Sequence, residues 1–260
     1  MSSGVAGGHI VPRHSRHDEG SDRGSRRVFR RPGSAVRAHN GQVRSSLRVM
    51  TYNVRQLKDD RAAVLAVLRA AVPDVVAVQE PPRGPFARTR LRRLAADAGL
   101  DAVVVGSGAR TTALLVRQGL RVTGTRAVRL SWRPGRTRRG LAVADVAGVR
   151  VVSVHLSLDP AERARHLDRL LLVVRSGDAC VVAGDLNEKP GGPARRRLGL
   201  HLHDLTGGAG PTYPAKAPVH RIDAVLATSG LTGDGAHVVV GETAARASDH
   251  CAVVVELGLT

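Results

Sequence analysis

With 260 residues, 42% of them hydrophobic, the chain can bury a substantial core, and no run of about twenty apolar residues offers a membrane span. The 40 Lys and Arg against 22 Asp and Glu leave a net charge of +18, nearly all of it on arginine, whose planar fork of donors suits phosphate oxygens. Polyanions are natural partners for such a chain, although an arginine-rich genome produces the same excess. Cys180 and Cys251 are the only cysteines, and both sit in apolar, strand-like runs, which excludes a disulfide framework and predicts buried thiols in an intracellular, cytoplasmic protein.

Residues 1–46 are rich in Ser, Gly, Arg and His and lack apolar periodicity, so a disordered basic tail is expected, with a single folded region over 47–260. The apolar stretch near Ile10 is interrupted by His9 and is too short for the core of a secretory signal. Residues 47–55, LRVMTYNVR, alternate apolar and polar positions and predict a strand that delivers Asn53 at its exit. Val64, Leu65, Leu68 and Val72 then recur at helical spacing over 59–71 ahead of Pro73. DVVAVQE at 74–80 predicts the next strand, stopped by Pro81-Pro82. If the two strands are parallel neighbours, Glu80 returns to the same edge as Asn53.

A basic helix is expected within 83–99, and four strands at 102–105, 111–116, 121–130 and 140–146 read as an antiparallel meander. The hairpin at 132–139 holds the only tryptophan and four arginines; it is either a solvated turn or a loop that grips phosphates. VRVVSVHLS at 149–157 ends its apolar run near His155. Asp159-Pro160-Ala161-Glu162 opens a helix with a capping acid and proline at the first position. VVAGDLN, residues 181–187, is a buried strand that hands over Asp185 and Asn187, two side chains expected on one face. HRIDAVLAT at 220–228 carries Asp223, and Asp249-His250 precede a terminal strand.

Asn53 in TYNVR, Glu80 in VVAVQE, His155 in VSVHL, Asp185 and Asn187 in VAGDLN, Asp223 in RIDAV and Asp249-His250 in SDH follow the order and approximate spacing of the endonuclease/exonuclease/phosphatase superfamily, over roughly residues 47–257. The resemblance implies an α/β protein: a four-layer α-β-β-α sandwich of two mostly antiparallel sheets with helices on the outer faces. It also implies a metal-dependent phosphoesterase. Asn53, Glu80 and Asp249 would hold Mg²⁺ or Mn²⁺, for which hard oxygen donors are suited. His155, Asp185, Asn187, Asp223 and His250 would be catalytic, with Asp185 taking a proton from the attacking water, Asn187 positioning it, His250 facing the phosphate and Asp223 orienting His250. Arg55, Arg136, Arg138, Arg139 and Tyr213 are weaker substrate-binding candidates. His155 resembles the histidine of deoxyribonuclease I-like and sphingomyelinase-like members rather than the tyrosine pattern of apurinic-site repair enzymes.

Substrate lies in the loops of such a fold, and here they are short, while aromatic residues make up 2% of the chain. A nuclease on DNA or RNA, without stable membrane insertion and working as a monomer, is the expectation. A phosphomonoesterase or phospholipid phosphodiesterase is the alternative, and an inactive nucleic-acid binder a third.

Overall fold

The computed structural model describes residues 46–259, so the expected basic tail lies almost wholly outside the described residues. Twelve strands run in chain order: β1 (Ser46–Asn53), β2 (Val75–Gln79), β3 (Leu100–Val105), β4 (Thr112–Arg117), β5 (Val122–Arg129), β6 (Gly140–Val146), β7 (Val149–His155), β8 (Cys180–Asp185), β9 (His203–Asp204), β10 (Asp223–Ala227), β11 (Thr232–Val238) and β12 (Val253–Gly258). Among them lie α1 (Arg61–Ala71), α2 (Ala87–Asp97), α3 (Pro160–Val174), α4 (Pro193–Gly199) and α5 (Glu242–Ala247). Among the described residues, no helix is long and apolar enough to cross a membrane.

The strands form two six-stranded sheets, ordered β11-β12-β1-β2-β4-β3 and β5-β6-β7-β8-β10-β9. Each is antiparallel except at its centre, where β1 pairs parallel with β2 and β7 with β8. A parallel pair needs a crossover, and α1 and α3 supply them. Both crossovers begin on an acid: Asp60 accepts from the Ala63 amide at 3.0 Å and Asp159 from the Glu162 amide at 2.9 Å, caps worth about 1 kcal/mol each.

Strand alternation sorts the core into three layers. Val49, Val75, Leu114, Val151, Val181 and Val225 fill the space between the sheets. Met50, Tyr52, Val76 and Val254 face α1, α2 and α5 on one outside, and Val152, Val154 and Val182 face α3 and α4 on the other. The four-layer α-β-β-α sandwich is thus borne out. Two local expectations are corrected. The supposed meander is divided, since β3 and β4 close the edge of one sheet while β5, β6 and β7 build half of the other. Val72 is no part of the buried stripe of α1: it takes a left-handed conformation as the C-cap and is half exposed, and Val67 fills the stripe instead.

The sheets are also joined by polar groups. Thr51 Oγ1 donates to Gln79 Oε1 at 3.1 Å, Gln79 Nε2 donates to Ser153 Oγ at 3.3 Å, and Ser153 Oγ donates to the Val78 carbonyl at 3.0 Å, all wholly buried. This chain ties β1 and β2 to β7 directly beneath their polar ends. Gly184 allows the other half of the arrangement, because a Cβ there would be driven into the Val154 backbone on the paired strand. Gly184→Ala should therefore cost about 2–3 kcal/mol of stability in urea unfolding, against almost nothing for Gly199→Ala, where a Cβ meets open space.

Candidate active site

The two parallel units end at one place. Asn53 and Gln79 are register partners at the end of β1 and β2, and His155, Asp185 and Asp223 lie side by side across β7, β8 and β10. Glu80, His155, Asp185, Asn187, Asp249, His250, Tyr213 and Arg139 line a cavity of about 420 Å³. Eight of the sequence-predicted residues therefore converge, and Asn53 lies directly beneath them through its bonds to Glu80 and Asp185.

Asp185 is the junction. Its Oδ1 accepts from the Asn187 amide at 2.9 Å, while Oδ2 faces Asn53 Nδ2 at 3.3 Å, His155 Nε2 at 3.5 Å and His250 Nε2 at 3.9 Å. Asn187 reaches the cavity differently from the expectation of a shared strand face. The strand stops at Asp185, and Asn187 turns out of it with φ +49°, anchored by Nδ2 to the Leu156 carbonyl at 2.8 Å. Its Oδ1 keeps no partner among the described residues.

Asp223 Oδ2 lies 2.9 Å from His250 Nδ1 and accepts from Thr212 Oγ1 at 2.6 Å, so the ring of His250 is fixed with Nε2 toward Asp185. Tyr213 packs against that ring at 4.8 Å between centroids. Burial would lower the pKa of His250, but the charge and hydrogen bond of Asp223, with Asp185 behind them, raise it to about 9. At neutral pH it is an imidazolium. His155 goes the other way: complete burial, then the charges of Arg139 and His250, hold it well below 6.5, so it is neutral. Burial and the neighbouring Asp223 charge push the Asp185 carboxyl up. Opposite shifts on adjacent groups are the arrangement that acid-base chemistry requires.

Glu80 is partly exposed, adopts φ +49°, and has one weak contact, Asn53 Nδ2 at 3.5 Å. Among the described residues no arginine is paired with it, so the carboxylate is free for a hard cation. Asp249 also lines the cavity but is held by Arg55 Nε at 3.3 Å, and the Asn53 carboxamide oxygen accepts from the Arg55 amide at 3.1 Å. Asp185, Asp223 and His250 also bring possible ligand atoms within 4.8 Å of one another. There the hydrogen bond between Asp223 and His250 already occupies two of the donors. The oxygen donors of Glu80, Asn53 and Asp249 at this wall are of the kind that fits a hard divalent cation.

The arginines divide. Arg139 is 9% exposed, lines the cavity and donates to the His155 carbonyl at 3.2 Å; its burial was hidden in a sequence that read as an exposed hairpin. Arg136 and Arg138 lie outside the lining: Arg136 pairs with Asp159 at 3.1 Å, and Arg138 stacks 4.2 Å over Trp132. Arg55 lines a neighbouring cavity of about 570 Å³ with Asp59, Asp60 and Lys216. Leu158, 74% exposed at the cavity edge, carries no sequence signal beyond its place in a loop.

The coupling of His250 to Asp223 can be read directly by NMR. In the metal-free protein the His250 ring should titrate near 9 and, in Asp223→Asn, at a clearly lower pH, because burial is then opposed only by Asp185 and Asp249 and no longer by the strongest negative neighbour.

No curated protein matches the sequence significantly. Residues 50–250 match the model of the Endonuclease/Exonuclease/phosphatase family. Among solved structures, an endonuclease/exonuclease/phosphatase from Beutenbergia cavernae is 27% identical, with a TM-score of 0.63 over 83% of this chain and 72% of that one. TDP2 of D. rerio, solved in complex with a single-strand DNA product, is 17% identical with a TM-score of 0.64 over 83% and 100% of the two chains. The catalytic domain of human Nocturnin, solved with a bound sulfate anion, is 18% identical with a TM-score of 0.64 over 84% and 96%. The last two likenesses are of fold, and the family match rests on the sequence itself: the chain belongs to the endonuclease/exonuclease/phosphatase family of phosphoesterases.

Proposed function

We propose that the protein is a divalent-metal-dependent phosphodiesterase that hydrolyses DNA or RNA by direct attack of water. The observation that carries this reading is the convergence on Asp185 of a neutral histidine and an aspartate-held imidazolium in one cavity with the free carboxylate of Glu80. Asp185, its pKa raised by burial, takes a proton from the attacking water. Asn187 Oδ1 accepts the water's other hydrogen. His250, held charged by Asp223, donates to a nonbridging phosphoryl oxygen, and neutral His155 steadies the Asp185 carboxylate through Nε2. The Arg139 guanidinium adds positive charge on the same wall. A cation on Glu80, Asn53 and Asp249 would neutralise charge on the nonbridging and leaving oxygens.

The net charge of +18 and the single-strand DNA product bound by a protein of the same fold support nucleic acid as substrate. One observation favours a phospholipid phosphodiesterase instead: the exposed Leu158 at the cavity edge could meet an acyl chain. Turnover of plasmid DNA, RNA, bis-para-nitrophenyl phosphate and sphingomyelin, measured in parallel with Mg²⁺, separates the readings, and cleavage of sphingomyelin alone would discard ours.

Two outcomes test the site. Glu80→Gln should lose about 100-fold or more of the Mg²⁺-dependent turnover with an unchanged unfolding midpoint, and chelator should abolish wild-type turnover. Arg139→Ala should lower turnover of the small diester at least about 10-fold. Arg138→Ala should leave that turnover within about 2-fold, since an exposed side chain stacked on Trp132 is remote from the chemistry.

A further inference from the structure

A second groove begins where the cavity ends. Beyond Glu80 the chain turns through Pro81-Pro82 into a loop that carries Phe86 and starts α2, and this loop, with the segment around Gly106 and Arg110, encloses about 420 Å³. Phe86 is 80% exposed, the most exposed large hydrophobic side chain among the described residues. It occupies the N-cap of α2 in the left-handed region, φ +58° and ψ +13°, and makes no cap. A serine or aspartate there would stabilise the helix, and a left-handed phenylalanine costs stability, so the position holds an aromatic face in water against local preference.

The surroundings are cationic. Arg88 and Arg110 line the groove and no carboxylate does; neither has a hydrogen-bonding or acidic partner among the described residues. Arg88 lies across Gly106, where a Cβ would meet its Nε at 2.8 Å. The first turn of α2 contains no acidic residue, and although the Ala87 amide donates to the Gly84 carbonyl at 3.3 Å, the positive end of the helix faces the groove with no carboxylate against it. The groove adjoins the cavity through the chain itself, since Glu80 lines the cavity and Pro81-Pro82 line the groove.

We infer that this groove is a subsite for single-stranded nucleic acid, in which one unpaired base stacks on Phe86 while the flanking backbone phosphates lie on Arg88, Arg110 and the amino end of α2. The inference rests on nucleic acid being the substrate and adds the path by which the strand leaves the cavity and why it is single. A base inside a duplex is already stacked and does not offer its face to Phe86. Base-on-aromatic stacking with arginine alongside tolerates any sequence, so the subsite carries strand preference rather than base preference.

The test uses the full chain and a short fluorescein-labelled oligonucleotide, with anisotropy read in chelator and cleavage read with Mg²⁺. Phe86→Ala should weaken single-strand binding about 5- to 100-fold, Phe86→Trp should restore it and Phe86→Leu should not. Arg88→Ala should flatten the slope of log affinity against log salt by about one unit. Duplex binding should change less than about 2-fold in Phe86→Ala, and turnover of bis-para-nitrophenyl phosphate should match wild type. If wild type cuts single strands and Phe86→Ala binds and cuts them equally well, the subsite is refuted while the nuclease reading stands. If binding depends on Phe86 yet no nucleic acid is cut, the subsite stands and the nuclease reading fails. Loss of sedimentation with anionic vesicles in Phe86→Ala, with oligonucleotide binding untouched, would overturn the inference in favour of a lipid surface.

Discussion

A carboxylate 1% exposed, at the meeting point of two sheets, is the constraint around which the site is arranged. Removing a charge from water is costly unless hydrogen bonds and opposite charge replace the solvent. Asp185 receives them from four directions: an amide from its own turn, a carboxamide from the other sheet, and two imidazoles. Most of these groups are themselves tied down, Asn187 by the Leu156 carbonyl, Asn53 by the Arg55 amide, and His250 by Asp223, which Thr212 holds in turn, while His155 Nδ1 is buried without a partner. The Asp185 side chain cannot rotate without breaking its hydrogen bonds to the Asn187 amide and the Asn53 carboxamide, so its orientation in the cavity is fixed. The compensation is incomplete by design of the fold: Asp223 stands one strand away, so one imidazolium faces two buried carboxylates and the Asp185 pKa stays high.

That geometry depends on a repeated unit. β1-α1-β2 and β7-α3-β8 each bring the ends of two parallel strands to one edge, and the sandwich places the two edges face to face. Apolar packing alone would permit the sheets to slide, since valines and alanines interdigitate with little directional preference. The chain of bonds through Thr51, Gln79 and Ser153 does not, because a shifted sheet would leave buried donors unpaired at about 1–3 kcal/mol each. Gln79 precedes Glu80, so the registration of the sheets is transmitted to the Glu80 carboxylate at the cavity through a single peptide bond.

Much of this was legible because the informative features are local. Alternation ending in Asn53, Glu80, His155 and Asp185 marks strand exits, and an acid followed by proline marks the start of α3, so the polar ends could be read without knowing their partners. What depended on partners could not. The 132–139 hairpin reads as uniformly exposed, yet Arg139 is drawn inward by the His155 carbonyl, a group sixteen positions away in sequence and visible only after β6 and β7 pair. The division of the meander followed from which sheet edge was open, not from any residue in it. β9, β11 and α5 escaped notice for a simpler reason: β9 has two residues, β11 is a largely exposed edge of Thr, Gly, Asp and His, and α5 has six residues, all too short or too polar for periodicity to register.

The arginine excess, ambiguous as composition, resolves by asking which guanidinium groups are already engaged. Arg195 and Arg221 share Asp204, Arg163 pairs with Glu188 at 3.1 Å, and Arg150 with Asp145 at 2.9 Å; these tie α3, α4 and the loops to the second sheet, and their charge is largely neutralised where it stands. Around α2 the balance is reversed. Arg83, Arg88, Arg90, Arg92 and Arg93 precede the first acid of that stretch, Asp97, which is itself paired with Arg61. Leu91, Leu94 and Ala95 bury the inner face of the helix, leaving its arginines on the outside. Uncompensated charge is what a polyanion feels at a distance, whereas paired charge contributes mainly to the fold. Among the described residues, the arginines of α2 beside Glu80 therefore carry charge that no paired carboxylate offsets, whereas those of the second sheet are largely engaged.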